Sequence, residues 1–273
     1  MSHLRIENIT SFDAPELAPY RSMRRSAEHD VQGIFVAEGE KVVRRLLASH
    51  FTIVSIVLPE KWLAIYRPLL ETRPETITVY LAEKEWLETL VGFSLFQGIL
   101  AIANIPPPAS LAEILANSPK PQLFVAVDEL ANAENLGALM RNCVAFGVQA
   151  LLVGETSSSP YLRRSVRNSM GAIFQLPIIV LPSLTATLGD LRARGVHCLA
   201  AHPRNDCKTL SQADFSGDCC LVFGSEGHGI SAPVLAACDE AVAIPMLNEV
   251  DSLNVSAAAA VFLYEVGRQR GKA

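Results

Sequence analysis

The chain has 273 residues, half of them hydrophobic, which is enough for two domains of ordinary size and a sizeable core. Its formal charge of −5 at pH 7 argues against a generic, sequence-blind nucleic-acid coat, while leaving room for a local basic patch. Six cysteines in a chain this long do not make a disulfide scaffold. No apolar run is long enough for a membrane span, and the opening M-S-H-L-R-I-E-N lacks the pattern of a signal peptide, so a cytoplasmic protein without a membrane partner is expected.

Residues 1 to about 20 show no clear period and predict an irregular arm or short helix. A basic helix-like piece follows, with Arg24 and Arg25, then I-F-V-A-E-G, then a helix from about Glu40 to Ser49. Val42, Val43, Leu46 and Leu47 form its apolar stripe and leave Lys41, Arg44 and Arg45 outside. Strands are predicted at 51–58, 76–81 and 98–103, with helices at 61–70 and 84–90, giving a small α/β domain over 1–105. Three consecutive prolines, Pro106 to Pro108, open a linker over 106–121.

From 122 to 273 short apolar strands alternate with helices. Strands are predicted at 123–127, 150–153, 176–181, 196–201, 219–223 and 241–244. Helices are predicted at 135–146, 161–169, 184–194 and 254–268. This pattern reads as a parallel sheet covered on both faces, in which ligands bind beyond the carboxyl ends of the strands. The loops 128–135, 224–231 and 245–254 leave strand ends rich in polar residues.

The first loop leads into a helix with Leu136, Leu139, Met140, Cys143 and Val144 as its buried stripe. Arg141 lies off that stripe, beside Gly137 and Ala138. It reads either as a site residue or as a surface ion pair. The second, F-G-S-E-G-H-G-I-S, has three glycines in six residues, so its backbone can approach a ligand closely. It matches neither a P-loop nor G-x-G-x-x-G nor the hydrolase elbow. Glu226 within it is either a site carboxylate or a helix cap. In the third, Asn248, Glu249, Asp251, Ser252 and Asn254 crowd polar side chains between a strand and a helix; a polar turn capped by Ser252 or Asn254 fits the same residues. His197, Cys198, His202, Cys207, Cys219 and Cys220 lack metal-ligand spacing, so no metal is expected. Arg163, Arg164 and Arg167 form a second basic cluster, whose bland reading is a solvated helix face.

Together E-N-L-G-A-L-M-R-N (134–142), L-V-F-G-S-E-G-H-G-I-S (221–231) and I-P-M-L-N-E-V-D-S-L-N-V-S-A-A-A-A (244–260) resemble the three motifs of the SpoU, or TrmH, branch of the SPOUT RNA methyltransferases. R-N-S-M-G-A-I-F-Q-L-P (167–177) is also similar to that family. I-F-V-A-E-G-E-K-V-V (34–43) and Q-G-I-L-A-I-A (97–103) resemble, more weakly, the small RNA substrate-binding domain that many members carry. The resemblance implies an α/β SPOUT domain with a deep trefoil knot and a homodimer formed through the catalytic domain. It implies S-adenosylmethionine as cofactor and methylation of a ribose 2′-hydroxyl in RNA, with rRNA favoured slightly over tRNA. Carried over by motif, Arg141, Asn135, Glu226, Ser252 and Asn254 are the expected catalytic residues. Ala200, Ala201, Gly224, Ser225, Glu226, Gly227, Ile244, Met246, Leu253 and Ser256 are expected to hold the cofactor. Arg24, Arg25, Arg44, Arg45, Arg163, Arg164 and Arg167 are expected to meet RNA. A non-catalytic RNA-binding protein on the same fold is the competing expectation.

Overall fold

The computed structural model describes residues 4–9, 11, 13–23, 26–92, 94, 98–203, 207–248 and 250–271. Arg24, Arg25 and Glu249 therefore lie outside the described residues. The strands are β1 (Leu4–Asn8), β2 (Ile34–Glu38), β3 (Ile53–Leu58), β4 (Ile77–Leu81), β5 (Leu100–Asn104), β6 (Leu123–Val127), β7 (Ala150–Val153), β8 (Ile178–Val180), β9 (His197–Ala201), β10 (Lys208–Thr209), β11 (Cys219–Phe223) and β12 (Glu240–Ala243). The helices are α1 (Ala18–Arg21), α2 (Ser26–Gln32), α3 (Glu40–Leu47), α4 (Glu60–Glu71), α5 (Lys84–Val91), α6 (Leu111–Asn117), α7 (Ala133–Ala145), α8 (Arg163–Asn168), α9 (Leu184–Ala193), α10 (Ala232–Ala237) and α11 (Val255–Gln269).

The chain divides into two compact units, Met1–Pro107 with Tyr161–Phe174, and Pro108–Pro160 with Gln175–Ala273. The first holds a five-stranded sheet in the order β1-β4-β3-β5-β2. Strands β1, β4 and β3 are parallel, and β5 runs antiparallel to β3 and β2. Where an irregular arm was expected, residues 4–8 form the edge strand β1. Leu4 and Ile6 alternate with Arg5 and Glu7, too short a run to register, and the side chains are mostly exposed; the ladder to Ile77–Leu81 supplies the order. Tyr161 and Phe174 complete an aromatic cluster in this unit. Phe35 lies 5.6 Å from Tyr161 and 6.1 Å from Phe174, and Phe51 lies 5.3 Å from Phe174 between ring centroids. This apolar contact explains why a segment from the second half of the sequence belongs to the first unit, which a single cut near the prolines does not anticipate.

In the second unit seven parallel strands run in the order β10-β12-β9-β11-β6-β7-β8. Strands β6, β7 and β11 are buried along their whole length, as a sheet covered on both faces requires. Successive strand residues face opposite sides. Phe124, Ala126, Cys220 and Val222 pack with Leu184, Leu188 and Leu191 of α9. On the other side Phe223 meets Phe262 of α11 edge to face, 5.6 Å apart. The stretch expected as a linker is part of this unit from Pro108 onward. Ser110 caps α6, accepting from Glu113 N, and Leu111, Ile114 and Leu115 pack on the core. Two short elements had no predicted range: β10 was not expected, and α10 was implied only as the helix that Glu226 could cap. The first has two residues and the second six, too short for a period to register.

Candidate functional site

The first loop is set by its caps. Asn132 Oδ1 accepts from Glu134 N and Asn135 N at 2.8 and 3.1 Å, starting α7 two residues before Asn135. Asp128, 5% exposed at the end of β6, accepts from Ser231 N at 2.7 Å and so ties this loop to the exit of the glycine loop. Ser157 Oγ accepts from Leu130 N, and Leu130 O accepts from Ser158 N.

The glycine loop closes on itself. Ser225 N donates to Gly229 O at 2.9 Å and Gly229 N to Ser225 O at 3.0 Å. A Cβ at Gly224 would stand 2.1 Å from the Gly229 carbonyl carbon, so only glycine fits there. Gly229 itself has φ +72°, the left-handed region. The third loop ends in Asn254, which caps α11 through Oδ1, accepting from Ser256 N at 3.0 Å and Ser256 Oγ at 2.7 Å.

Three loops far apart in sequence meet in one polar cluster. Asn135 Nδ2 donates to Glu226 Oε1 at 2.5 Å. Asn254 Nδ2 donates to Glu226 Oε1 at 2.7 Å and to Asn135 Oδ1 at 3.1 Å. Glu226 also lines a cavity of about 330 Å³, within the roughly 300–1,000 Å³ typical of small-molecule sites. Of the residues expected to hold a cofactor, Ala201, Gly224, Ser225, Glu226, Gly227, Ile244, Met246 and Leu253 line it. Ala200 does not: it is fully buried and packs in the sheet core. Ser256 does not line it either, since its hydroxyl and amide are turned to Asn254. Among the expected catalytic residues, Ser252 lines the cavity and is exposed, apart from the hydrogen-bonded cluster. Arg141 is exposed on α7 and makes no hydrogen bond to a described residue.

Several lining residues went unread in the sequence. Phe223 and Phe262 passed as ordinary core, which they also are, whereas His202 and Pro203 lie in the segment just after residues 196–201, which the family resemblance assigns to the cofactor. His228 lines the cavity as well. Asn132 carried a usable signal, an amide at N-cap spacing before an apolar period.

The arginines behave differently. Arg163 and Arg167, expected to meet RNA, both donate to Glu38, which is 6% exposed; the Arg167 contact is 3.0 Å. Arg163 is itself only 15% exposed, so its charge is held inside the first unit. Arg45 donates to Met170 O, and its stem lies over Gly171, where a Cβ would be 2.7 Å from Arg45 Cδ. Arg44 pairs with Glu40 at 2.8 Å, its guanidinium 5.9 Å from the Tyr66 ring centroid. Arg164 is exposed and makes no ion pair with a described residue.

All six cysteines are free, and Cys143, Cys198, Cys219 and Cys220 are buried. Burial pushes the Cys219 thiol up to about 11, partly offset by Arg270, and Cys238 up to about 12. Among the described residues no group of three His, Cys, Asp or Glu side chains stands ready to hold a metal ion. No helix among them is long and apolar enough to cross a membrane.

A parallel sheet whose carboxyl edge carries a cavity and a converged amide–carboxylate cluster is a doubly wound α/β protein with a candidate ligand site at its strand ends. The model of the SpoU rRNA methylase family matches residues 122–264. A Mycobacterium bovis protein named an uncharacterized tRNA/rRNA methyltransferase is 31% identical over 273 residues, covering 96% of this chain and 92% of its own. A Mycobacterium avium protein of the same description is 39% identical over 189 residues, covering 67% of this chain; the chain spans 60% of that relative's length. The crystal structure of an RNA 2′-O ribose methyltransferase superposes with a TM-score of 0.79 at 27% identity, covering 97% of this chain and 99% of that one. The SpoU methyltransferase AviRb from Streptomyces viridochromogenes, in complex with the cofactor AdoMet, shares the fold with a TM-score of 0.80 at 24% identity, covering 94% and 98%. The chain belongs to the SpoU rRNA methylase family, a family of RNA methyltransferases.

Proposed function

We propose that this protein uses S-adenosylmethionine to methylate a ribose 2′-hydroxyl of structured RNA, rRNA in preference to tRNA. The observation that carries the reading is the meeting of Asn135, Glu226 and Asn254, from three separate loops, at the edge of the glycine-loop cavity. The cavity suits the cofactor. Its glycine loop lets main chain approach a ligand, Phe223 and Phe262 give it an apolar wall, and Ser225, Glu226 and Asp251 give it a polar rim. S-adenosylmethionine supplies an electrophilic methyl group there.

The residues of the chain do the rest. A hydroxyl nucleophile needs orientation, partial removal of its proton and positive charge near the developing oxyanion. Asn135 and Asn254 hold Glu226 in one orientation, and the cluster offers donors and an acceptor to a ribose. Arg141, about 1.7 turns along α7 from Asn135, supplies the positive charge. A guanidinium keeps its proton, so its role is electrostatic. Ser252 stands at the rim for a further hydrogen bond. Methylating a pyrimidine carbon usually needs a cysteine thiolate. None of the six cysteines lines the cavity; burial raises those at positions 143, 219 and 238, and a hydrogen bond with Cys198, together with burial, raises Cys220.

The same reading takes the C-terminal path as a trefoil knot, with β12 returning between β9 and β10. It takes the active form as a cytoplasmic homodimer joined through the second unit. Val261 and Tyr264, 39% and 54% exposed on α11, give that contact apolar surface.

The test is transfer of labelled methyl from S-adenosylmethionine to RNA from cells lacking this protein, followed by alkaline hydrolysis. A 2′-O-methyl blocks cleavage of the adjacent phosphodiester, so label is expected in dinucleotides. Label in mononucleotides would put the methyl on a base. RNA binding without transfer would make the protein a non-catalytic member of the fold.

A further inference from the structure

Asn142 follows Arg141 in the first motif, and the function above gives it no role. It lies seven residues after Asn135, about two helical turns or ~10 Å along α7. Its Nδ2 donates to Ser256 O at 2.6 Å, in the first turn of α11. Ser256 N and Oγ donate to Asn254 Oδ1. Asn254 Nδ2 donates to Asn135 Oδ1 and to Glu226 Oε1. The path thus leaves α7 at Asn142, crosses the α11 N-terminus and returns to α7 at Asn135, a closed ring.

The ring has one possible polarity. A backbone carbonyl only accepts, so Asn142 must turn its Nδ2 to Ser256 O. A backbone N–H only donates, so Asn254 must turn its Oδ1 to Ser256 N. That leaves Asn254 Nδ2 facing Asn135 Oδ1, and Asn135 Nδ2 facing the Glu226 carboxylate. Every amide orientation in the ring follows from two backbone groups of one residue, Ser256.

We propose that Asn142 is a positioning residue for methyl transfer: it grips the first turn of α11 so that Asn254 and Asn135 meet Glu226 in a fixed orientation. It touches neither the cavity nor the reacting atoms. Without its donor, the side-chain hydrogen bond that remains between this turn of α11 and α7 among the described residues is the one from Asn254 to Asn135. Loss of positioning by about an ångström is worth up to roughly a hundredfold in rate. This inference rests on reading the site as a methyltransferase site, and its test separates the two.

Asn142→Leu keeps the size and removes the donor; Asn142→Gln keeps a donor amide. Asn142→Leu is expected to lower kcat by about ten- to a hundredfold, with Asn142→Gln recovering part of the loss. The double variant with Asn254→Ala is expected to be no slower than Asn254→Ala alone, because both open the same ring. Amide hydrogen exchange in residues 252–258 of the full chain is expected to speed up in Asn142→Leu and in Asn142→Ala. Unchanged exchange there, or losses that multiply in the double variant, would overturn the proposal. If the wild-type protein transfers no methyl, the functional reading fails, while the exchange measurement still decides whether the ring holds the α11 turn.

Discussion

The polar cluster of the second unit and the arginine clusters of the first were both marked by residue type in the sequence, and they differ in what the fold does with them. Asn135, Glu226 and Asn254 lie up to 119 residues apart and are brought within hydrogen-bonding distance. Arg44, Arg45, Arg163 and Arg167 are instead satisfied by Glu40, Met170 O and Glu38. The difference lies in where the residues sit. Loops after parallel strands emerge at the same edge of a sheet, so their polar residues can converge. A charge on a helix face is positioned only by that helix, and any carboxylate or carbonyl in reach competes with an outside ligand for it. A buried glutamate such as Glu38 demands a cationic partner.

The sharpest way to break the cluster is Gly224→Ala. The added Cβ has no room beside Gly229, so the glycine loop must open and take Glu226 with it. Affinity for S-adenosylmethionine by calorimetry is expected to fall at least about a hundredfold, near 3 kcal/mol. Gly227→Ala, where a Cβ meets nothing within 4 Å, is expected to bind nearly as the parent does. Equal losses in the two would remove the loop's closure as the cause.

Arg141→Ala comes next. Arg141 is exposed and does not line the cavity, so cofactor binding is expected to stay within about twofold while kcat falls roughly a hundredfold or more, as when a charge-stabilising donor is removed. A parallel loss of affinity would tie it to the cavity instead.

On the other side of the comparison, Glu38→Gln removes the carboxylate that holds Arg163 and Arg167. Stability is expected to drop by about 2 kcal/mol, read from the urea midpoint; Arg167 is 55% exposed, so the loss is smaller than for a fully buried pair. No change would mean that the Glu38 contacts add nothing to the stability of this unit.

The smallest effect is expected from reversing Arg164 to Glu. If RNA phosphate meets this exposed side chain, the salt dependence of RNA binding flattens by about one counterion. Arg163→Glu is expected to act through stability rather than through that slope.

Burial patterns and motif spacing made much of this legible beforehand. The strands 123–127, 150–153 and 219–223 were read with their exact bounds, because a strand covered on both faces is an uninterrupted apolar run. The stripe of α3 was readable for a similar reason, helical spacing. Strand β1 was not, since its order comes from pairing and most of its side chains are exposed. Helix α6 lies inside the expected linker, and its docking on the core was not legible there.

By itself, then, the sequence determined the alternating α/β order, the three polar loops and the residue types at their tips. Hydrophobic period, glycine and amide placement are local properties that a linear reading can weigh. Only the tertiary structure decided which polar groups find each other. It joined Asn142 to Ser256 and closed the ring on Asn135; it gave Arg163 to Glu38 and residues 161–174 to the first unit. A hydrogen bond or ion pair depends on separations of about 3 Å, and those are set by how strands order and helices pack across the whole chain.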